Sequence, residues 1–429
     1  MSVTTSKLYW AKLDNAAKIY PAARTKQWSN VFRLSATLAE PIDTDILQSA
    51  LDAAIPRFPS IAARLRRGLF WYYLQQLDAA PRVRKEYSHP LAYMHPSESR
   101  RCAFRVIAYE NRIAVELFHC LTDGNGALVF LKTLVAQYLR LKYQSEIPCT
   151  DGILDCLEKP DPAELEDSFL KYAGPVSASR RDTNAWHFYG VKEPDNRLNL
   201  ICFRLDVQEA LEKAHVYHTS LTGFLCAVLM QAILRLQEEQ IPRIRRRKPV
   251  KVLIPVNLRK LFPSKTLRNF VLYTIPELDP RLGHYTFEEI CKIVTLKMQT
   301  DITAKQMSRM IAVNVGSERN VAVRLIPLPL KNLVMKAVFM AVGERKSFMS
   351  LSNLGAVQVP EEMKPYITRM DFILGPQASA PHNCGVLSWE NDLYLNFIRN
   401  IRETGLEQHV FRVLQELGLS VTVQSNQEE

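Results

Sequence analysis

Apolar and polar residues alternate along some stretches of the chain and recur at helical spacing along others, and changes of period mark its elements. Residues 30–39 (NVFRLSATLA) alternate and predict a strand, as do residues 69–76 (LFWYYLQQ). Between them Ile46, Leu47, Ala50, Leu51 and Ala54 follow a helical period, with Asp43 or Thr44 as cap and Pro56-Arg57-Phe58-Pro59-Ser60 as the stop. Two alternating runs, 103–109 and 112–118, predict a hairpin turning at Glu110-Asn111. The stripe Leu128, Leu131, Leu134, Val135 and Tyr138 then predicts a helix from Gly126 to about Tyr143.

From Glu146 to Arg197 the composition shifts to Pro, Asp, Glu and Ser, which predicts a connection between two lobes, residues 1–190 and 191–429. A chain of 429 residues is long enough to give each lobe its own core. The second half predicts a strand at 198–205, helices at 207–216 and 219–236, and a nearly all-apolar strand at 250–256 that suits burial on both faces. Further strands are expected at 270–275 and 348–352, and one or two helices within 284–313. A hairpin (384–389 and 393–398) and a last helix near 404–417 complete the pattern. The apolar stretch from Leu325 to Phe339 is expected to be a core helix rather than the wall of a lipid-sized pocket or a membrane-surface segment. Pro327, Pro329, Lys331 and Lys336 argue against a membrane span there.

Composition adds three constraints. A net charge of +11 favours anionic partners. Its sharpest source, Arg243-Ile244-Arg245-Arg246-Arg247-Lys248, is expected to be a solvated loop, with phosphates of a cosubstrate such as coenzyme A as the alternative. No aromatic interleaving or nucleic-acid module accompanies the run, so no nucleic-acid partner is expected. The 8 cysteines lack CxxC pairs, which suggests neither a disulfide framework nor a zinc site. The opening MSVTTSKLYWAKLDN has no long apolar core of a secretory signal, and the cytoplasm is the expected compartment.

The stretch Phe118-His119-Cys120-Leu121-Thr122-Asp123-Gly124-Asn125-Gly126 closes the second hairpin strand and opens a helix. A histidine at a strand end is held rigidly while a loop keeps one ring nitrogen accessible, which suits a general base. Asp123 is placed to brace the turn or cap the helix, and Gly124 and Gly126 to let the backbone bend. A lone histidine in such a place is more often structural. The pattern His119-x-x-x-Asp123-Gly124, after a hairpin and before a long helix, resembles the active-site signature of the chloramphenicol-acetyltransferase-like acyltransferases. That superfamily includes peptide-synthetase condensation domains, plant BAHD acyltransferases and bacterial alcohol acetyltransferases. The last of these have an opening similar to Leu13-Asp14-Asn15-Ala16. The segments Ile61–Leu65, Thr219–Leu225 and Pro255-Val256-Asn257-Leu258-Arg259 are similar to further family features.

The resemblance implies an α/β (α+β) fold of two lobes, each a mixed sheet flanked by helices, with the active site in a tunnel between them. It implies an acyl transfer, acetyl foremost, from a coenzyme A thioester to an alcohol, with acyl-CoA as cosubstrate, no bound cofactor and no metal. His119 would deprotonate the acceptor and return the proton to the leaving thiol, without an acyl-enzyme. Asp123 would pair with Arg259 from the other lobe, and Gly124 would be the turn residue. Ser352 and Asn353, in Ser352-Asn353-Leu354-Gly355, are candidates for donors to the oxyanion, with a plain β-turn as the alternative. Asp371-Phe372-Ile373-Leu374-Gly375 departs from the BAHD signature at its two central positions, and no catalytic role is expected there. Phe118 stands where condensation domains usually carry a second histidine, which disfavours that branch. His187 and His382 are expected to be structural or on the surface, and Cys120 to be a buried neutral thiol. The acceptor would be a small-molecule or lipid-like alcohol. Variants are an amine acceptor, a carrier-protein donor, or a non-catalytic binding relative.

Overall fold

A computed structural model describes residues 9–25, 30–87, 89–174, 184–194, 197–319, 324–339, 346–376 and 380–426. A five-stranded sheet has the order β13 (Ile367–Ile373), β2 (Val31–Leu38), β7 (Arg112–Phe118), β6 (Phe104–Tyr109) and β5 (Arg84–Lys85). An eight-stranded sheet runs β10 (Val271–Thr274), β9 (Val250–Asn257), β12 (Met349–Ala356), β14 (His382–Trp389), β15 (Asp392–Arg399), β8 (Asn199–Asp206) and β16 (Thr422–Ser425), with β11 (Glu277–Leu278) paired to β9. In this second sheet β12 is parallel to both its neighbours and the hairpin β14–β15 is antiparallel, so the sheet is mixed. A small third sheet joins β1 (Trp10–Lys12), β4 (Tyr72–Gln76) and β3 (Ala63–Arg67).

Helices α2 (Thr44–Ala54) and α3 (Gly124–Tyr143) bury their apolar stripes against the first sheet. The Asp43 carboxylate caps α2 by accepting from the amides of Asp45 and Ile46. The other face of that sheet is covered too. Arg33 and Glu116 there are 1% exposed and ion-paired at 3.2 Å, and Arg105 joins Glu116 at 3.1 Å. Burying such charges is tolerable only because they are paired. In the second lobe α4 (Val207–Val216), α5 (Leu221–Gln240) and α6 (Phe287–Asp301) pack with the large sheet around a second core. Helix α5 is the one described helix long and apolar enough to cross a membrane, and 72% of its apolar window is buried inside the fold. Helix α7 (Ala304–Arg319) helps enclose a third, smaller core around Phe270 and Met307. After it come α8 (Leu328–Val338), discussed below, and α9 (Gly405–Glu416).

Strand β13 comes from the second half of the chain yet completes the first sheet, with Met370 opposite Ala36 and Phe372 opposite Leu34. It crosses β14 at Gly385, where an added Cβ would overlap the carbonyl oxygen of Phe372. Only a residue without a side chain lets two strands of different sheets approach so closely. Replacement Gly385→Ala is expected to cost about 1–3 kcal/mol. Gly174→Ala, which meets no atom within 4 Å, is expected to be nearly neutral. Chemical denaturation of the two variants checks this.

Candidate active site at the seam between the lobes

Strand β7 ends at Phe118, and the His119 amide continues the pairing by donating to Asn30 O at 2.8 Å. The half-buried imidazole stacks on Tyr20 of α1 (Ile19–Ala23), with ring centroids 4.6 Å apart, and meets Phe32 edge-on at 5.0 Å. Its Nδ1 lies 2.9 Å from Asn269 Oδ1. The Asn269 Nδ2 donates to Asp14 Oδ2 at 3.1 Å and to His119 O at 3.0 Å, which fixes which way the amide points. Because Oδ1 only accepts, Nδ1 must carry the proton, and the hydrogen-bond network assigns the lone pair to Nε2. Burial pushes the imidazole below its ordinary pKa, opposed in part by its backbone hydrogen bond and by the charge of Asp123. The ring is therefore neutral at neutral pH, with one basic nitrogen. The adjacent Cys120 is buried and burial pushes its thiol well up, so it stays protonated.

Asp123 does not bond to His119. Its Oδ1 caps α3 by accepting from Gly126 N at 3.1 Å. Its Oδ2 accepts from Arg259 Nη1 at 2.7 Å and from Phe270 N at 2.9 Å. Arg259 extends from the short turn that follows β9 and also donates to the carbonyls of Thr266 (2.9 Å) and Arg268 (2.6 Å). Thr122 Oγ1 donates to Leu267 O at 2.5 Å. The loop carrying the histidine is thus clamped to residues 266–270 of the other lobe. Gly124 is the first residue of α3 rather than a turn residue, and an added Cβ would come within 2.8 Å of the Leu354 side chain. At Gly126 an added Cβ would overlap Thr122 Oγ1 and Leu267 O, so the clamp itself requires that glycine.

The segment Ser352–Gly355 is not a β-turn: β12 runs through it, with a bulge between Asn353 and Ala356 and Gly355 at φ +80°. Alternation along the strand splits the two candidate donors. Asn353 shares the face of Leu351, which lies in the second core, and its Nδ2 donates to Thr222 Oγ1 at 3.0 Å in the first turn of α5. Leu354, within the bulge, reaches Gly124 with its side chain.

The other singled-out residues lie elsewhere. His382 is fully buried at the start of β14 between Phe348 and Phe188, where burial lowers its pKa. Asp371 is held by Arg369 at 2.7 Å and by Asn396 at 3.2 Å, where the two large sheets meet. In the basic run Arg247 pairs with Glu238 at 2.7 Å, and Arg243, Arg245 and Arg246 are exposed. Among the described residues no cluster of His, Cys, Asp and Glu is built to hold a metal. Sequence reasoning assigns no role to Tyr20, Asn269 or Asp14. Asp14 lies in the segment similar to alcohol acetyltransferases, which was the one available signal, and Asn269 carries none.

Replacement Arg259→Met is expected to destabilise by about 3–5 kcal/mol, since it strands a buried carboxylate; urea unfolding checks this. Nitrogen NMR of the His119 ring should show a protonated Nδ1 and a pyridine-like Nε2, and Asn269→Ala should let both tautomers populate.

No protein-family model and no curated protein matches the sequence. Solved structures do. TRI101 of F. graminearum, solved with coenzyme A and T-2 mycotoxin, is 11% identical, with 96% of this chain and 99% of that chain covered at a TM-score of 0.62. The condensation domain of the Monacolin K polyketide synthase MokA is 11% identical over 96% and 97%, at 0.59. Polyketide synthase associated protein 5 from Mycobacterium tuberculosis is 14% identical over 94% and 96%, at 0.57. With nearly the full length of each chain aligned, this protein has the two-lobed chloramphenicol-acetyltransferase-like fold of these condensation domains and acetyltransferases.

Proposed function

We propose that the protein is an acyltransferase that moves an acyl group, acetyl foremost, from a coenzyme A thioester to an alcohol. One observation carries the reading: a neutral imidazole, half-buried at the seam between lobes, whose Nδ1 is occupied and whose Nε2 is free to accept a proton. A hydroxyl is a poor nucleophile at neutral pH and a thioester a good electrophile. A base within hydrogen-bond reach of the hydroxyl therefore removes the main barrier. As the alcohol oxygen attacks the thioester carbon, its proton passes to Nε2. When the tetrahedral intermediate collapses, the C–S bond breaks and the same proton goes to the departing thiolate. Ser352 is the candidate to donate to the oxyanion. Asn269 acts through His119 as a positioning residue, and Asp123 and Arg259 hold the loop. Support for coenzyme A comes from TRI101, which was solved with that molecule. The condensation-domain neighbours support a second donor, an acyl group on a carrier's pantetheine arm, with unchanged chemistry at His119.

The test offers acetyl-CoA and an acyl-pantetheine thioester to a panel of alcohols and measures released thiol. His119→Ala is expected to lose about 10²–10⁴-fold in rate. Asn269→Ala is expected to lose about 10–100-fold in kcat with KM little changed, since it misplaces the base rather than removes it. A panel without turnover above His119→Ala would leave a binding protein rather than an enzyme. The pH dependence has a definite sign. The base works when neutral and burial lowers its pKa, so kcat/KM should be flat through neutrality and fall only below the ordinary imidazole value of about 6.5.

A further inference from the structure

Helix α8 wears its apolar side outward. Leu330, Leu333, Val334 and Ala337 recur at i, i+3, i+4 and i+7, which puts them on one face, and all four are exposed, Leu333 at 68%. The opposite side mixes buried Leu328 and half-buried Met335 and Phe339 with polar anchors. Lys331 is buried, donates to Phe70 O at 2.9 Å and sits over the Trp71 ring at 3.6 Å, while Asn332 Nδ2 donates to Tyr72 Oη at 2.9 Å. A helix of a globular core leaves no such apolar face in solvent. The expectation of a core helix over Leu325–Phe339 is therefore overturned. The helix is a surface element, and Lys331 and Asn332 are its polar anchors.

The face continues beyond the helix. The amide of Leu328 donates to Leu69 O at 2.9 Å, which sets the tip of the β3–β4 hairpin against the first turn. Leu69 at that tip is 73% exposed, Phe70 is exposed beside it, and Leu325 on the preceding turn is 66% exposed. Residues 63–73 and 324–339 contain Arg64, Arg66, Arg67, Arg324, Lys331 and Lys336 and no Asp or Glu. Arg67 and Arg324 are exposed at the rim, and Lys336 is half-buried there.

We propose that this face docks on the surface of an anionic lipid bilayer, with the leucines in the acyl boundary and the rim cations against headgroup phosphates. Charge selects this occupant. A second copy of the chain would bring Arg67, Arg324 and Lys336 against themselves across a two-fold axis. The outward leucines have no hydrogen-bonding side chain among them to recognise a particular protein, since Asn332 points inward. Helix α1 packs against α8 and contributes Tyr20, the ring stacked on His119, so one short helix separates the docked face from the proposed base. For the acceptor this implies an apolar alcohol taken from the bilayer, a consequence that rests on the proposed function; the docking does not.

The experiment is co-sedimentation with phosphatidylcholine vesicles made with and without phosphatidylglycerol. The full chain is expected to bind the anionic vesicles more strongly, and less so in high salt. Leu330→Glu with Leu333→Glu should lower the partition coefficient by more than about 100-fold, since both leucines are lost from the contact. Arg67→Glu with Arg324→Glu should remove the preference for anionic lipid. Leu282→Glu, at a still more exposed leucine on a different element, should change nothing. Unaltered thermal melts show that the variants are folded. The proposal is overturned if the native protein leaves both vesicle types unbound, or if the leucine pair can be replaced without loss. It is also overturned if the native protein forms a dimer that Leu333→Glu dissociates while no vesicle is bound. Sedimentation is read without turnover, so a chain that binds vesicles and transfers no acyl group counts against the reaction and not against the docking.

Discussion

One buried carboxylate joins the two lobes. Asp123 is 1% exposed and accepts from the start of its own helix, from the Phe270 amide and from the Arg259 guanidinium. The last two belong to the other lobe. A carboxylate so buried needs every one of these donors, and each fixes a different piece of chain. The geometry of His119 follows from the clamp. Residues 266–270 are set by Arg259 and Thr122, and that placement brings Asn269 to the ring. His119 follows the last residue of β7 and Asn269 precedes β10, so the hydrogen bond that assigns the tautomer exists only when the lobes are joined.

A second constraint acts where the sheets meet. The first sheet is covered on both faces and takes β13 from the second half of the chain, which passes over β14 at a glycine. Charges on its inner positions, such as Arg33 and Glu116, are matched in pairs. The seam is a packed junction and transmits position well, because close-packed interiors resist small displacements.

Most elements were legible because their signals are local. The hairpin ending at Phe118, the apolar strand Val250–Asn257 and the long helix Leu221–Gln240 have periodicities that neighbours in sequence alone establish. The pairing of Asp123 with Arg259 was expected from resemblance and the two are in contact at 2.7 Å. Three things escaped. Strand β13 depends on a partner far away in sequence, so no local pattern betrays its edge. Ser352–Gly355 has the composition of a turn, yet the parallel partner β14 keeps it in the sheet. Asn269 has no motif because its role is relational: it lies 150 positions from His119 and matters only through orientation. For α8 the sequence shows an apolar helix and not its direction, because periodicity shows that a helix has a face without telling which way it points.

The late arrival of β13 bears on how the protein is made. During synthesis the sheet that carries His119 cannot close until residue 373 has left the ribosome, so the flank of β2 stays unpaired while most of the chain is still being translated. An open strand edge is a template for wrong partners, and the delay lengthens the interval in which a nascent chain needs a chaperone's protection. The order of the strands in the sheet thus becomes a schedule, in which the histidine loop is among the early parts to be synthesised and among the last to be locked.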